Sequence, residues 1–330
     1  MVAAMRNAIS HKRSVILGAG GFIGINLANA LAVRDHEVIC FDRFASPHWP
    51  QEATSITGEF SALPPELLAA LDDATIYHLV SSCRPSQHTE MAANEVIADV
   101  VTTLRYLEST RDRKVRWLFV SSGGTVYGPD VPCPTTEEAP TNPMCSYGLV
   151  KLTLEKYFAL YRKLHGTDFV VARVSNPYGP WQDPSRGQGV IAALVYKALS
   201  GQTVEIWGDG DNVRDYLYID DTVLGLMELA KYGESGEVYN VSSGFGTSIN
   251  ELIDIISKTL GLRINTRYVA ARISDVRKSV LDKSKLRAQM GWEPTYRLQD
   301  GIRLTAEWMV HKVDLTNEGR TRHAGRKRIG

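Results

Sequence analysis

Ser14-Val-Ile-Leu17-Gly18-Ala-Gly20-Gly21-Phe22-Ile23-Gly24 is the stretch on which the fold turns. A short apolar run ends at the glycines, and a helix-like pattern follows over Phe22–Val33. Strand, glycine turn and helix in that order give Gly-x-x-Gly-x-x-Gly its meaning. Gly18 permits the tight turn, Gly21 lets backbone approach a pyrophosphate, and Gly24 allows helix to pack closely on strand. The helix N-terminus, with Phe22 and Ile23, then faces the phosphates. Glu37–Phe41 reads as a second strand and Asp42 ends it, where an acid hydrogen-bonds an adenosine ribose. A carboxylate there repels a 2′-phosphate, so NAD is favoured over NADP, a preference that Arg43 softens.

Outward from this unit the pattern repeats. Thr75–Val80, Val115–Ser121 and Phe169–Val174 read as Val/Ile-rich strands, with helices over Glu95–Ser109 and Tyr147–His165. That alternation predicts an α/β fold, a doubly wound parallel Rossmann sheet. The texture changes near Asn176, where Pro177, Gly179, Pro180, Pro184, Gly187 and Gly189 mark long loops. Helices over Val190–Leu199, Asp221–Lys231, Ile249–Leu260 and Asp300–Met309 then alternate with short strands, as in a smaller C-terminal α/β lobe over the sheet's carboxyl edge. The expected division is a leader at 1–12, a dinucleotide-binding domain at 13–175 and a substrate lobe at 176–311. Some segments of that lobe return to the Rossmann core, and 312–330 forms a basic tail.

The 330 residues are 44% hydrophobic, enough for a large core, and 37 Lys and Arg balance 37 Asp and Glu. Zero net charge gives no global attraction to nucleic acid or to an anionic membrane. The basic run Arg320 to Arg328 reads as a solvated terminus. Cys40, Cys83, Cys133 and Cys145 have no metal-ligand spacing, so no metal is expected. Residues 1–12 lack the apolar core of a secretory signal and no apolar run could span a bilayer, so a cytoplasmic protein is expected.

Ser146-Tyr147-Gly-Leu-Val-Lys151 carries the chemistry. Residues at i and i+4 share a helix face, which sets the lysine ammonium beneath the phenol. A free tyrosine, with a pKa of about 10, is a poor base near neutrality. A unit charge about 4 Å away, at an effective dielectric of about 20, is worth roughly 4 kcal/mol, or about three pKa units. That makes a phenolate usable at physiological pH. The pair alone is weak, and the glycine loop upstream makes it a candidate catalytic pair.

Several segments together resemble the extended short-chain dehydrogenase/reductase superfamily, and most closely its UDP-glucose 4-epimerase group. They are Gly18–Gly24, Phe119-Val-Ser-Ser-Gly-Gly-Thr-Val-Tyr-Gly128, Tyr147–Lys151, Asn176-Pro-Tyr-Gly179, Gly208-Asp-Gly-Asp-Asn-Val-Arg214-Asp-Tyr216, and Leu281-Asp-Lys-Ser-Lys-Leu with Gly291-Trp292. The resemblance runs from Ser14 to Trp308. It implies Glu59 and Phe60 against adenine, and Leu79, Val80, Ser81 and Ser121 along the dinucleotide. It also implies a cofactor contact for Asp99, where many relatives have asparagine, although a plain helix-face residue is an equal reading. Lys151 would meet the nicotinamide ribose, Val174 the nicotinamide, and Asn176 the substrate phosphates. Arg214 and Arg272 would form the diphosphate clamp, since two guanidiniums suit a pyrophosphate, and Asp275 would take the uridine ribose. A homodimer follows from the same resemblance, through the helices near Glu95–Ser109 and Tyr147–His165.

One departure bears on mechanism. The family's catalytic Ser/Thr aligns with Gly123, so a neighbour must polarise the sugar oxygen: Ser122, then Thr125, with Ser121 a further candidate. Dehydratases and decarboxylases of this fold need acid/base carboxyls before the Val-Tyr-Gly, and here Gly124 and Thr125 stand there. The resemblance thus implies an NAD-dependent isomerase that inverts C4 of a UDP-hexose through a 4-keto intermediate. Ser279, small where the family is bulky, would admit an N-acetyl group at C2, whereas Arg186 would meet a uronate carboxylate. Two other functions remain open: a net NAD(P)-dependent nucleotide-sugar reductase or dehydrogenase, and a non-catalytic dinucleotide-binding regulator.

Overall fold

The computed structural model describes residues 11–82, 92–186, 189–270 and 276–324, the side chains of residue 186 and of residues beyond 312 excepted. The first half comprises β1 (Arg13–Leu17), α1 (Phe22–Ala32), β2 (Glu37–Asp42), β3 (Thr54–Thr57), α2 (Pro65–Ala70), β4 (Ala74–His78), α3 (Ala92–Glu95), α4 (Thr102–Thr110), β5 (Val115–Ser122), α5 (Ser146–His165), β6 (Asp168–Val174) and β7 (Asn176–Tyr178). A π-helical stretch, Val96–Val101, joins α3 to α4. The second half comprises α6 (Val190–Leu199), β8 (Val204–Trp207), β9 (Val213–Tyr218), α7 (Ile219–Tyr232), β10 (Val238–Val241), β11 (Gly246–Ser248), α8 (Ile249–Leu260), β12 (Thr266–Val269), β13 (Lys278–Ser279), α9 (Ser284–Met290) and α10 (Leu298–Ala324).

Seven strands form one parallel sheet in the order β10-β6-β5-β4-β1-β2-β3. Helices cover both faces, so its central strands are apolar at nearly every position. Val15 and Leu17 point into a core that includes Val150, Leu154 and Phe158 of α5, and Ile16 points into the opposite core with Leu27 of α1 and Leu226 of α7. The chain leaves β1 toward β2 on one side and returns to β4 on the other. The crevice beyond the ends of β1 and β4 is therefore the switch point at which such sheets bind ligands. The smaller lobe is built on β9, which pairs with β7, β11 and β13, while β8 pairs with β12.

The sequence reading misses β3 and α2, each under seven residues and too short to show a period. It also ends the last helix at Met309, where the structure carries α10 on to Ala324. Apolar periodicity fades after Met309 in the sequence, and no proline interrupts the run that continues the helix. Among the described residues no helix is long and apolar enough to cross a membrane, and no cluster of metal ligands occurs.

Candidate active site

The glycine loop is built by backbone. The amides of Gly18 and Ala19 donate to the Phe41 carbonyl at 2.9 and 3.0 Å, tying the end of β1 to β2. Gly18 has φ +90°, left-handed space that favours glycine. A Cβ on Gly24 would lie 2.4 Å from the Gly18 carbonyl oxygen, so α1 could not approach the strand. Gly21 differs: its Cβ would meet nothing closer than 3.4 Å. Packing does not require glycine there, and what the missing side chain leaves is bare backbone on the cleft wall. That is the cradle a pyrophosphate needs. The Asp42 carboxylate accepts from the Gly20 amide at 2.8 Å and the Arg43 amide at 2.7 Å, so it positions the loop as well as facing the cleft.

A single cleft of about 1360 Å³ joins this loop to the second lobe. Gly18, Gly21, Phe22, Ile23, Gly24, Asp42, Arg43, Glu59, Phe60, Leu79, Val80, Ser81 and Asp99 all line it. Phe60 is fixed by stacking on Tyr106, with ring centroids 4.6 Å apart. Asp99 is buried in the π-helical stretch, where its carboxylate accepts from the Ser82 amide at 2.9 Å and the Ser81 hydroxyl at 3.2 Å. Burial pushes its pKa up against the Lys151 charge and those hydrogen bonds.

Tyr147 and Lys151 line the same cleft from the first two turns of α5. The Lys151 ammonium, 4% exposed, donates to the Val120 carbonyl at 3.0 Å and sits 5.8 Å from the centre of the Tyr147 ring. Gly148 lets this turn come close, since a Cβ there would stand 2.8 Å from both the Thr125 carbonyl oxygen and Pro143. Thr125 is thereby packed against the turn that carries Tyr147. Ser122 and Thr125 both line the cleft. The Thr125 hydroxyl oxygen is buried without a hydrogen-bond partner among the described residues, so turning it toward a ligand breaks no bond.

Two neighbours behave otherwise than expected. Ser121 is buried behind the cleft wall, donating to Glu155 at 2.5 Å, and Glu155 in turn pairs with buried Arg173 at 2.7 Å. It is therefore no cofactor contact. Gly123 is not on the cleft wall either: a Cβ there would lie 2.2 Å from Leu281 Cδ1. Leu281 fills the space that the family's Ser/Thr would need.

From the second lobe, Asn176 and Arg214 line the cleft. Asn176 donates to the Asp215 carbonyl at 2.8 Å. Val174 is instead buried in the core, where its carbonyl accepts from the Gly123 amide at 2.8 Å, so it shapes the wall from behind. Ser279, in β13, pairs with Arg214 of β9. Arg272 and Asp275 lie outside the described residues, as does the side chain of Arg186.

Sequence reasoning missed Asp215. Its buried carboxylate accepts from the Ser243 amide and hydroxyl at 2.9 and 2.6 Å, the Gly244 amide at 3.1 Å and the Leu281 amide at 3.3 Å. Burial pushes its pKa up while those four donors pull it down. It also missed Ser175, Gln182 and Tyr216, which bring to cleft-lining positions further buried polar atoms without a partner among the described residues. Buried polar atoms are normally satisfied, so this wall suits a ligand rich in hydroxyls and phosphates.

Known proteins match this arrangement. A UDP-glucose 4-epimerase of Mycolicibacterium smegmatis is 32% identical over 91% of this chain and 99% of its own length. The crystal structure of UDP-glucose 4-epimerase with UDP-glucose from Thermotoga maritima superposes with a TM-score of 0.86 at 30% identity, covering 91% of this chain and 99% of that one. The Thermus thermophilus UDP-glucose 4-epimerase complex with NAD gives a TM-score of 0.81 at 28% identity, over 90% and 98% of the two chains. Residues 14–242 match the NAD dependent epimerase/dehydratase family. With the bare backbone at Gly21, the acid at Asp42 and the Tyr147/Lys151 pair on one wall, the chain belongs to that NAD-dependent epimerase/dehydratase family, an extended short-chain dehydrogenase/reductase closest to the UDP-hexose 4-epimerases.

Proposed function

We propose that this protein inverts C4 of a UDP-hexose through a 4-keto sugar. One observation carries the reading: the buried Lys151 ammonium, fixed by the Val120 carbonyl, stands beneath the Tyr147 ring on the wall of the cleft that the glycine loop opens. The glycine loop, Asp42 and Lys151 would hold NAD, which would supply reversible hydride transfer at C4, taking the hydride from one face and giving it back to the other. Lys151 favours loss of the phenol proton, and Tyr147 then takes the proton of the C4 hydroxyl. Thr125 holds that oxygen, with Ser122 beside it. Arg214, joined by Arg272 and Asp275 as the resemblance implies, grips the nucleotide diphosphate while the keto sugar turns over. Gly124 leaves room for this, because a side chain there would find only the Asn176 amide oxygen, 4.0 Å away. Tyr147 finally returns the proton to the C4 oxygen, the opposite face of the turned sugar having been the one reduced. Neither Gly124 nor Thr125 can remove a C5 proton, which argues against the dehydratase branch of the family.

The test adds UDP-glucose, UDP-N-acetylglucosamine and UDP-glucuronate to the purified protein without external NAD and follows their C4 epimers. Tyr147→Phe should lose about 100- to 10,000-fold in turnover and still bind NAD. Unchanged turnover would remove Tyr147 from the mechanism, and stoichiometric consumption of NADH would favour a net reductase instead. The reading includes a homodimer, supported by exposed apolar side chains Val96, Ile97 and Val101 beside Leu149, Leu160 and Leu164 of α5.

A further inference from the structure

Three segments remote in sequence meet at the edge of the cleft and serve no step above. His48, from the loop after β2, stacks on Trp181 with ring centroids 4.0 Å apart. Trp181 packs edge-on against Trp308 of α10 at 5.3 Å. The Lys312 ammonium, one turn further along α10, sits 5.3 Å from the centre of the Trp181 ring and 4.9 Å from that of Trp308. His48, Trp181 and Lys312 line the same cleft as Gly18–Gly24.

The cluster is anchored to the dinucleotide side. Asn26, in the second turn of α1, donates to the Pro180 carbonyl at 3.1 Å, next to Trp181. Asn29 donates to the His48 carbonyl at 3.0 Å, and the Trp49 indole donates to the Ala19 carbonyl at 2.9 Å. Trp181 is held at φ +72°, left-handed space that a bulky residue rarely enters. Such strain persists only where surroundings impose it, and it gathers at ligand clamps.

Charge identifies the ligand group. The glycine loop carries no basic side chain, and the end of α1 brings a partial positive charge of only about half a unit against the two negative charges of a pyrophosphate. Of the described cationic residues on the cleft wall, Arg43 follows the ribose acid, Lys151 lies under Tyr147 and Arg214 belongs to the second lobe, which leaves Lys312, seated on Trp181, whose neighbour Pro180 is held by Asn26 of α1. Burial and the Lys312 charge both hold the His48 pKa below its ordinary value, so at neutral pH Lys312 is the cation of the cluster.

We propose that His48, Trp181 and Lys312 form a clamp over the phosphate stretch of bound NAD, with the Lys312 ammonium, seated on the two tryptophans, facing the pyrophosphate. The clamp rests on NAD as cofactor and not on which sugar is turned over. Its use follows from chemistry that oxidises and re-reduces one carbon: a cofactor lost in mid-cycle strands the keto sugar.

The test compares wild type with Lys312→Gln and Lys312→Arg. Nucleotide retained per chain after dialysis is read from ultraviolet absorbance. NAD affinity of the stripped proteins is read from quenching of tryptophan fluorescence over a series of NaCl concentrations. Lys312→Gln should retain less nucleotide and raise the Kd for NAD about tenfold, the effect of losing one charged contact, with a shallower dependence on salt. Lys312→Arg, which keeps a cation able to stack on indole, should behave as wild type. Wild-type affinity and salt dependence in Lys312→Gln would overturn the clamp. A stripped wild type that takes up no NAD would overturn the cofactor assignment and the clamp with it.

Discussion

His78 and Gly24 fail in different ways when changed. Gly24→Ala would drive a methyl into the backbone of Gly18 and Ala19, atoms that cannot yield. We expect that variant to fold with a displaced α1 and to lose most of its NAD affinity in the same titration. His78 is fully buried among Phe60, Trp117 and Phe119, with its Nε2 2.8 Å from the Thr103 hydroxyl. Burial, reinforced by the Lys151 charge, pulls its pKa from an ordinary 6.5 down to about 3. The unfolded chain therefore takes up this proton first. The contribution to stability is whole above pH 6.5 and is lost as the pH falls toward 3. Urea unfolding across that window should show wild type losing stability more steeply than His78→Phe, and equal slopes would exclude His78 as the source. At this scale the sequence was legible where the chemistry is local: Tyr147 and Lys151 are one turn apart, and the three glycines sit within seven positions. His78 was not legible, since a histidine in a strand does not announce its burial.

The end of β5 and the segment after β13 meet directly, Leu281 lying against Gly123. The Leu281 amide is tied to Asp215, and its side chain covers Gly123 with Cδ1 2.2 Å from where a Cβ would stand. Gly123→Ser, which would restore the family's hydroxyl, should therefore destabilise the protein by about 1–3 kcal/mol through overpacking. Adding Leu281→Ala should relieve the clash, so that the double mutant is more stable than the sum of the two single changes predicts. Additive losses in denaturant unfolding would show that Leu281 does not set the requirement for glycine. Asp215→Ala would leave the amides of Ser243, Gly244 and Leu281 without their acceptor. It should cost about 3 kcal/mol or more and lower turnover by loosening the strap over Gly123. The alignment at Gly123 could be read from the motif, but its cause could not, because Leu281 meets it only through the tertiary fold. Ser121 was misread for a different, local reason: strand alternation turns it toward Glu155 while Ser122 faces the cleft.

For the whole molecule, the alternation of strands and helices was enough to give the parallel sheet and the position of the cleft, because both follow from local periods and from handed crossovers. The wall of the second lobe was harder to foresee, being assembled from short strands and loops whose partners are distant. Assembly is the remaining question at this scale. Ile97 and Leu164 are each about 60% exposed, and with Val96, Val101, Leu149 and Leu160 they put exposed apolar surface on two adjacent helices. Apolar patches of that kind usually mark an interface, and the same patch on two copies can bury itself in a twofold dimer. Sedimentation at micromolar concentration should give twice the chain mass for the wild type and the chain mass for Leu160→Glu/Leu164→Glu. The glycine loop, Asp42 and the Tyr147/Lys151 pair come together within a single chain, so that monomer should still hold NAD and keep the Lys151–Tyr147 geometry. A wild-type monomer would leave the apolar face without the partner assigned to it, and a monomeric variant that releases NAD would mean that the second subunit braces α5 from behind.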